Sequence, residues 1–258
     1  MTAVPAALEA GTGPRTLVFL HGIGGGKEGW QASLDHFAAL GWRALAWDMP
    51  GYGDSASIDP WDFPGLADAL GRLLDAAAVD RAVLVGHSLG GMVALEAWTT
   101  MPQRIRAMVL AASSPAFGHA DGEFQRQFLA QRLTPLDQGR TMADVAAPLI
   151  PSMAGPGADP AGIALARTLM SRIPPATYRA ALQALVRFDR RGALPGIHVP
   201  VLCLAGEHDR TAPPQVLRRM AEKIPGAACA EMPGAGHLLN FERPAEFNAA
   251  LEAFLARL

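Results

Sequence analysis

Ala82-Val83-Leu84-Val85-Gly86-His87-Ser88-Leu89-Gly90 is the stretch whose reading decides the fold. Its first four residues are apolar without alternation, as in a strand covered on both faces. A G-x-S-x-G run follows, and the residues from Gly90 to Met101 carry a helical pattern. A serine on so sharp a strand-to-helix turn has strained backbone geometry, and its hydroxyl stands clear of the sheet. Glycines at 86 and 90 keep side chains out of the space where strand and helix approach. The Leu89 amide points to the same place as the Ser88 hydroxyl, an arrangement suited to acyl transfer. A Gly-Ser-Gly sequence can also be only a tight turn, so the reading stands or falls on partners elsewhere in the chain.

Working outward, further short apolar runs occur at Thr16–Leu20, Arg43–Trp47, Ala107–Ala111, Val201–Ala205 and, more weakly, Ala228–Met232. Helical patterns separate them at Gly29–Leu40, Gly65–Ala78 and Pro214–Lys223. A terminal one, Ala245–Arg257, puts Phe247, Leu251, Phe254 and Leu255 on one face. This alternation predicts an α/β fold with a doubly wound, mostly parallel sheet. It breaks between Pro115 and Leu194. That segment holds helix-like stretches at Glu123–Leu133, Met142–Met153, Ala161–Ile173 and Ala176–Phe188, and no strong strand. The expected organisation is a core of residues 1–114 and 196–258 interrupted by a helical cap, 115–195, over the strand ends where open α/β sheets place ligands.

Ser88 needs a base, and the base needs an orienting acid, both at strand ends on the side where Ser88 emerges. His237 qualifies, in the Gly-rich loop Gly234-Ala235-Gly236-His237 after the last strand. Asp209 qualifies, since Gly206-Glu207-His208-Asp209 follows the Val201–Ala205 strand; Glu207 is its nearest rival but lies closer to the strand body. No carboxylate follows the Ala107–Ala111 strand until Asp121. The chain order Ser88, Asp209, His237 is the one expected when G-x-S-x-G is used this way. Two backbone donors must hold the developing oxyanion. Leu89 supplies one. Ile23, in His21-Gly22-Ile23-Gly24-Gly25-Gly26 after the first strand, is the choice for the other.

Together with Asp48-Met49-Pro50-Gly51-Tyr52-Gly53-Asp54-Ser55, these motifs resemble the α/β-hydrolase superfamily, in its branch of small microbial serine esterases and 3-oxoadipate enol-lactonase-like enzymes. The resemblance covers nearly the whole chain and places the cap after the sixth family strand. It implies a serine hydrolase that cleaves small carboxylic esters or lactones through an acyl-enzyme on Ser88, with no cofactor and no metal. It gives His21 and His87 structural roles at the oxyanion loop and the elbow, and makes Asp48–Ser55 a loop-shaping turn. One departure is that only about fifteen residues precede Thr16, so the usual leading hairpin is shortened or its first strand is absent. Halide and epoxide chemistry in this superfamily uses an aspartate nucleophile, so Ser88 argues against both, and Leu238 after His237 weakens a carbon–carbon hydrolase reading. The rival functions are a 3-oxoadipate enol-lactonase-like hydrolase, a hydroxynitrile-type lyase and a ligand receptor with a vestigial triad.

Composition narrows the field further. The chain has 258 residues, half of them hydrophobic and 18% charged, enough for a sizeable core. A formal net charge of −2 without a basic run argues against nucleic acid as partner. Neither a signal peptide nor a run of membrane-spanning length is read, so a cytoplasmic monomer or homodimer acting on a small molecule is expected, with no membrane partner. Cys203 and Cys229 fall in predicted strands and read as buried thiols. The groupings Asp35-His36, His119-Ala120-Asp121 and Glu207-His208-Asp209 lack metal-ligand spacing. Trp30, Trp42, Trp47 and Trp98 read as core, Trp61 less firmly, and Met142, Met153 and Met170 as cap core or an adaptable acyl pocket. The cap carries nine arginines against six acids. A basic lid favours a substrate with a carboxylate, although solvated or paired arginines are the plainer reading.

Overall fold

In a computed structural model that describes residues 3–117 and 122–258, seven strands form one sheet. They are β1 (Ala7–Ala10), β2 (Thr16–Leu20), β3 (Arg43–Trp47), β4 (Ala82–His87), β5 (Ile105–Ala111), β6 (Val201–Gly206) and β7 (Ala228–Met232), in the spatial order β1-β3-β2-β4-β5-β6-β7. All pairs are parallel except β1 with β3. Every residue of β2 and β4 is buried, as their unbroken apolar sequences require of strands covered on both faces. Ahead of β2 the described residues hold one strand, β1, with Ala7 opposite Trp47. Its sequence, Ala-Leu-Glu-Ala, has little strand character of its own, and pairing to β3 defines it.

Helices α1 (Gln31–Ala39), α2 (Phe63–Ala76) and α3 (Leu89–Thr100) cross over between the first parallel strands. Between β5 and β6 come α4 (Glu123–Asp137), α5 (Met142–Met153), α6 (Pro160–Ser171) and α7 (Pro175–Leu185); α8 (Pro214–Lys223), α9 (Leu239–Glu242) and α10 (Pro244–Leu255) complete the chain. Local chemistry starts several of them. Asp62 caps α2 through the Gly65 amide, 2.8 Å away, and Thr141 with Asp144 forms a capping box at α5. Asp159, followed by Pro160, caps α6.

One face of the sheet packs on α1 and α10, where Trp30 stands between Phe19 and Phe247 with ring centroids 5.0 and 5.8 Å apart. The other face packs on α2, α3 and α8, and the buried residues of α5, α6 and α7 join that same cluster. The ends of the inserted segment lie side by side. Ala116 bridges Asp189, the Phe117 amide donates to the Phe188 carbonyl at 3.1 Å, and the Arg190 amide donates to Pro115 at 2.7 Å. Arg190 also reaches buried Glu96 on α3, Nη2 to Oε1 at 2.8 Å.

Trp30, Trp42, Trp47 and Trp98 are buried; Trp61 is half-buried and donates its indole N–H to the Pro50 carbonyl. Cys203 is buried, whereas Cys229 is exposed, contrary to expectation, because β7 is an edge strand whose alternate residues face solvent. His119 and Asp121 lie outside the described residues. No described helix is long and apolar enough to cross a membrane.

Candidate active site

Ser88 sits between β4 and α3 with φ 52° and ψ −116°, a conformation that non-glycine residues seldom adopt. Two contacts hold it there: its amide donates to the Ala111 carbonyl at 2.8 Å, and Ser113 Oγ donates to its carbonyl at 2.8 Å. The close approach needs Gly90, since a Cβ at that position would lie 2.0 Å from the Leu20 carbonyl oxygen. Leu89 opens α3, so its N–H is one of the first-turn donors that no helical carbonyl accepts, at the positive end of the helix.

The loop after β7 brings His237 to this turn. His237 Nε2 is 3.0 Å from Ser88 Oγ, and Nδ1 is 2.8 Å from Asp209 Oδ2. A carboxylate only accepts, so Nδ1 carries the proton and Nε2 turns its lone pair to the serine hydroxyl. Asp209 is 3% exposed, and its other oxygen accepts from the Thr211 and Ala212 amides at 2.7 and 3.0 Å. Burial pushes the Asp209 pKa up. Attraction to the imidazolium form of His237, its hydrogen bond and those two amides outweigh it and leave the carboxyl below the usual range. Glu207 is turned elsewhere: it accepts from the Gly234 amide at 2.7 Å and shapes the loop.

Three groups hold this loop. Glu242, 2% exposed, accepts from the amides of Gly155, Gly236 and Leu238, each at 2.7 Å. The His237 amide itself donates to the Met153 carbonyl at 2.8 Å, so the inserted segment and the histidine loop are locked together. His87 donates from Nε2 to the His237 carbonyl at 2.7 Å. Burial, aided by repulsion from the imidazolium form of His237, lowers the His87 pKa to about 3, which keeps the ring neutral. His87 thus fixes the histidine loop as well as standing in the elbow. Glu242 carries no motif that marks it: Gly236 and Leu238 lie just before it in the chain, but Gly155 comes from the inserted segment.

The loop after β2 forms the opposite wall. Ile23 faces the site, and among the described residues neither its N–H nor that of Leu89 donates to a protein acceptor. His21 pins this loop to the next, donating from Nδ1 to Gly22 at 2.8 Å and accepting at Nε2 from the Met49 amide at 3.0 Å. Buried Asp48 adds a second tie. It accepts from the Lys27 amide at 3.0 Å and pairs with the Lys27 ammonium, which also reaches Asp54 at 2.6 Å. Gly53, at φ 46°, passes so close that a Cβ would lie 2.2 Å from Asp48 Oδ2. Asp48–Ser55 is therefore a turn that braces the loop, and Lys27 is a member of it that no motif announced.

Ser88, His237 and Ile23 open on one cavity, with about 100 Å³ open to the centre of a water molecule. Met153, Met170, Leu182, Leu185 and Phe128 from α4–α7 supply much of its apolar wall.

The model of the alpha/beta hydrolase fold family matches residues 15–244. The chain belongs to that family. Among its α/β-hydrolase relatives, a protein of Pseudomonas syringae pv. syringae provisionally named carbamate hydrolase RutD is 31% identical over 257 residues, covering 93% of each chain. A pimeloyl-[acyl-carrier protein] methyl ester esterase of Edwardsiella ictaluri is 29% identical, covering 95% of this chain and 94% of its own. The enol-lactonase of Burkholderia xenovorans superposes with a TM-score of 0.86 over 97% of this chain and 96% of its own. Its sequence identity of 24% makes that a likeness of fold.

Proposed function

We propose that this α/β-hydrolase cleaves small carboxylic esters or lactones through an acyl-enzyme on Ser88. The observation that carries the reading is the continuous chain from Ser88 Oγ to His237 Nε2, 3.0 Å, and from His237 Nδ1 to Asp209, 2.8 Å. Ser88 Oγ attacks the acyl carbon while His237 Nε2 takes its proton, and Asp209 stabilises the imidazolium. The Ile23 and Leu89 amides, free of protein acceptors among the described residues, receive the oxyanion. His237 then returns the proton to the leaving alkoxide as the carbon–oxygen bond breaks. Water, deprotonated by the same nitrogen, attacks the acyl-enzyme and releases the acid and Ser88. In a lactone the leaving alkoxide stays tethered to the acyl group. The segment 115–195 acts as a cap whose apolar side chains receive the acyl part.

The activities named for the two curated relatives, on a carbamate and a methyl ester, and the lactonase activity of the structural neighbour all concern an acyl carbon bonded to a heteroatom. That range fits a shared attack with differing acyl pockets. The test is turnover of short-chain p-nitrophenyl esters, with labelling by an organophosphonate. The wild type turns over and is labelled on Ser88. S88A loses about 10⁴-fold or more of its rate, on the scale seen when a triad member is removed. Retained activity in S88A, or turnover without labelling, overturns the mechanism. Binding without turnover or labelling identifies a receptor, and carbon–carbon cleavage with an intact Ser88 unlabelled identifies a lyase.

A further inference from the structure

Away from Ser88, His237 and the neighbouring hydroxyls, the cavity wall is mostly apolar. No carboxylate and no lysine among the described residues lines it, and Arg132 on α4 is its one permanently charged side chain. The other arginines of the inserted segment are accounted for. Arg126, Arg179, Arg190 and Arg191 pair with Glu123, Asp137, Glu96 and Asp189, and Arg140, Arg167, Arg172 and Arg187 are exposed. Arg132 is half-buried, and no carboxylate among the described residues pairs with it. Its guanidinium carbon stacks over the Phe128 ring, one helical turn away, 5.2 Å from the centroid. It also neighbours the hydroxyl of Tyr178, a residue of α7 that is 1% exposed and lines the same cavity.

A guanidinium held over a ring face keeps N–H donors at its edge. A planar fork of donors in an apolar wall, with a phenol beside it, matches a carboxylate. One guanidinium supplies a single positive charge, which suits a monoanion better than a phosphate dianion. We infer that Arg132, with Tyr178, selects substrates that carry a second carboxylate remote from the scissile carbonyl, such as half-esters of short dicarboxylic acids or lactones bearing a free acid. This rests on the esterase reading above only for the choice of turnover probe.

Two measurements test it. The first is kcat/KM for monomethyl esters of four- to six-carbon dicarboxylic acids, set against methyl esters of unsubstituted acids of equal length. In the wild type the ratio favours the half-ester of the fitting length, and in R132M that ratio falls about 10- to 100-fold, as expected for loss of a hydrogen-bonded charged pair. R132K, which keeps the charge without the fork, falls between. An unchanged ratio in R132M overturns the inference. The second is the calorimetric Kd of the same half-esters in S88A and in S88A/R132M, which does not depend on turnover. Binding about tenfold or more weaker in the double variant supports the inference, and equal or undetectable binding in both overturns it. Activity surviving in S88A sinks the Ser88 mechanism while leaving the Arg132 ratio to be read. An inert S88A with an unchanged R132M ratio sinks only the role of Arg132.

Discussion

His87 shows how one side chain ties the geometry of the candidate site to solution conditions. Its ring is neutral because burial lowers its pKa to about 3, and its Nε2–H holds the His237 carbonyl at 2.7 Å. In the unfolded chain the same imidazole titrates near its ordinary value of about 6.5. Between those values the unfolded state binds more protons than the folded state, so stability rises with pH. The contribution is complete above the unfolded pKa and is lost as pH falls from about 6.5 toward about 3. Buried His21, whose pKa burial also lowers, adds an effect of the same sign. Denaturant titrations should therefore show His87 costing the wild type about 2 kcal/mol between pH 8 and pH 5. H87Q, whose amide does not titrate, should fall by correspondingly less over that interval. Equal slopes for the two proteins would remove His87 as the source of the acid sensitivity.

At the scale of elements, the short helix α9 exists to deliver one carboxylate. Glu242 receives three amides from two separate segments, Gly155 from the insertion and Gly236 and Leu238 from the histidine loop. E242A leaves those donors buried without an acceptor, each worth about 1–3 kcal/mol, with entering water recovering part. The expected loss is about 3 kcal/mol in stability, together with a fall in kcat as His237 loosens; a midpoint shift in urea at unchanged slope checks the first. A loss below about 0.5 kcal/mol, the usual range of surface changes, would show that the clamp is not structural. This clamp also marks what a single sequence reveals. The strands β2 to β7 and the elbow were legible because hydrophobic runs and glycine placements are local signals. Ser88, Asp209 and His237 could be placed because each follows a strand end. Glu242 and Lys27 were not legible, because charged residues read as surface until distant backbone closes over them. β1 was missed for the opposite reason: its four residues carry almost no side-chain preference, and its partner β3 determines it. Cys229 was misread because an apolar run does not distinguish an edge strand from a central one.

For the whole molecule, the question is whether the inserted segment behaves as a separate unit. Its chain ends meet at the Ala116–Asp189 bridge, the closed neck expected of a movable lid. Its interior argues otherwise. Met142, Ile150, Met170 and Leu182 belong to one continuous buried cluster with Leu89, Met92 and the sheet residues Leu84 and Met108. Segments that share a core lose it together, because separating them exposes apolar surface at about 25 cal/mol per Å² on both sides. Two further ties cross the boundary, Arg190 to Glu96 at 2.8 Å and Thr177 Oγ1 to the Gly51 carbonyl at 3.0 Å. Calorimetry should accordingly give a single thermal transition whose van't Hoff and calorimetric enthalpies agree, even though chains of this length often depart from two-state behaviour. E96Q should lower Tm without dividing that transition, since it weakens a tie while leaving the shared cluster intact. Two resolved transitions in the wild type would mean that the helices fold and unfold on their own. The cavity beside Ser88 would then be a surface between two independent bodies, where a common core instead gives its helical wall the same cooperative stability as the strands that carry the serine.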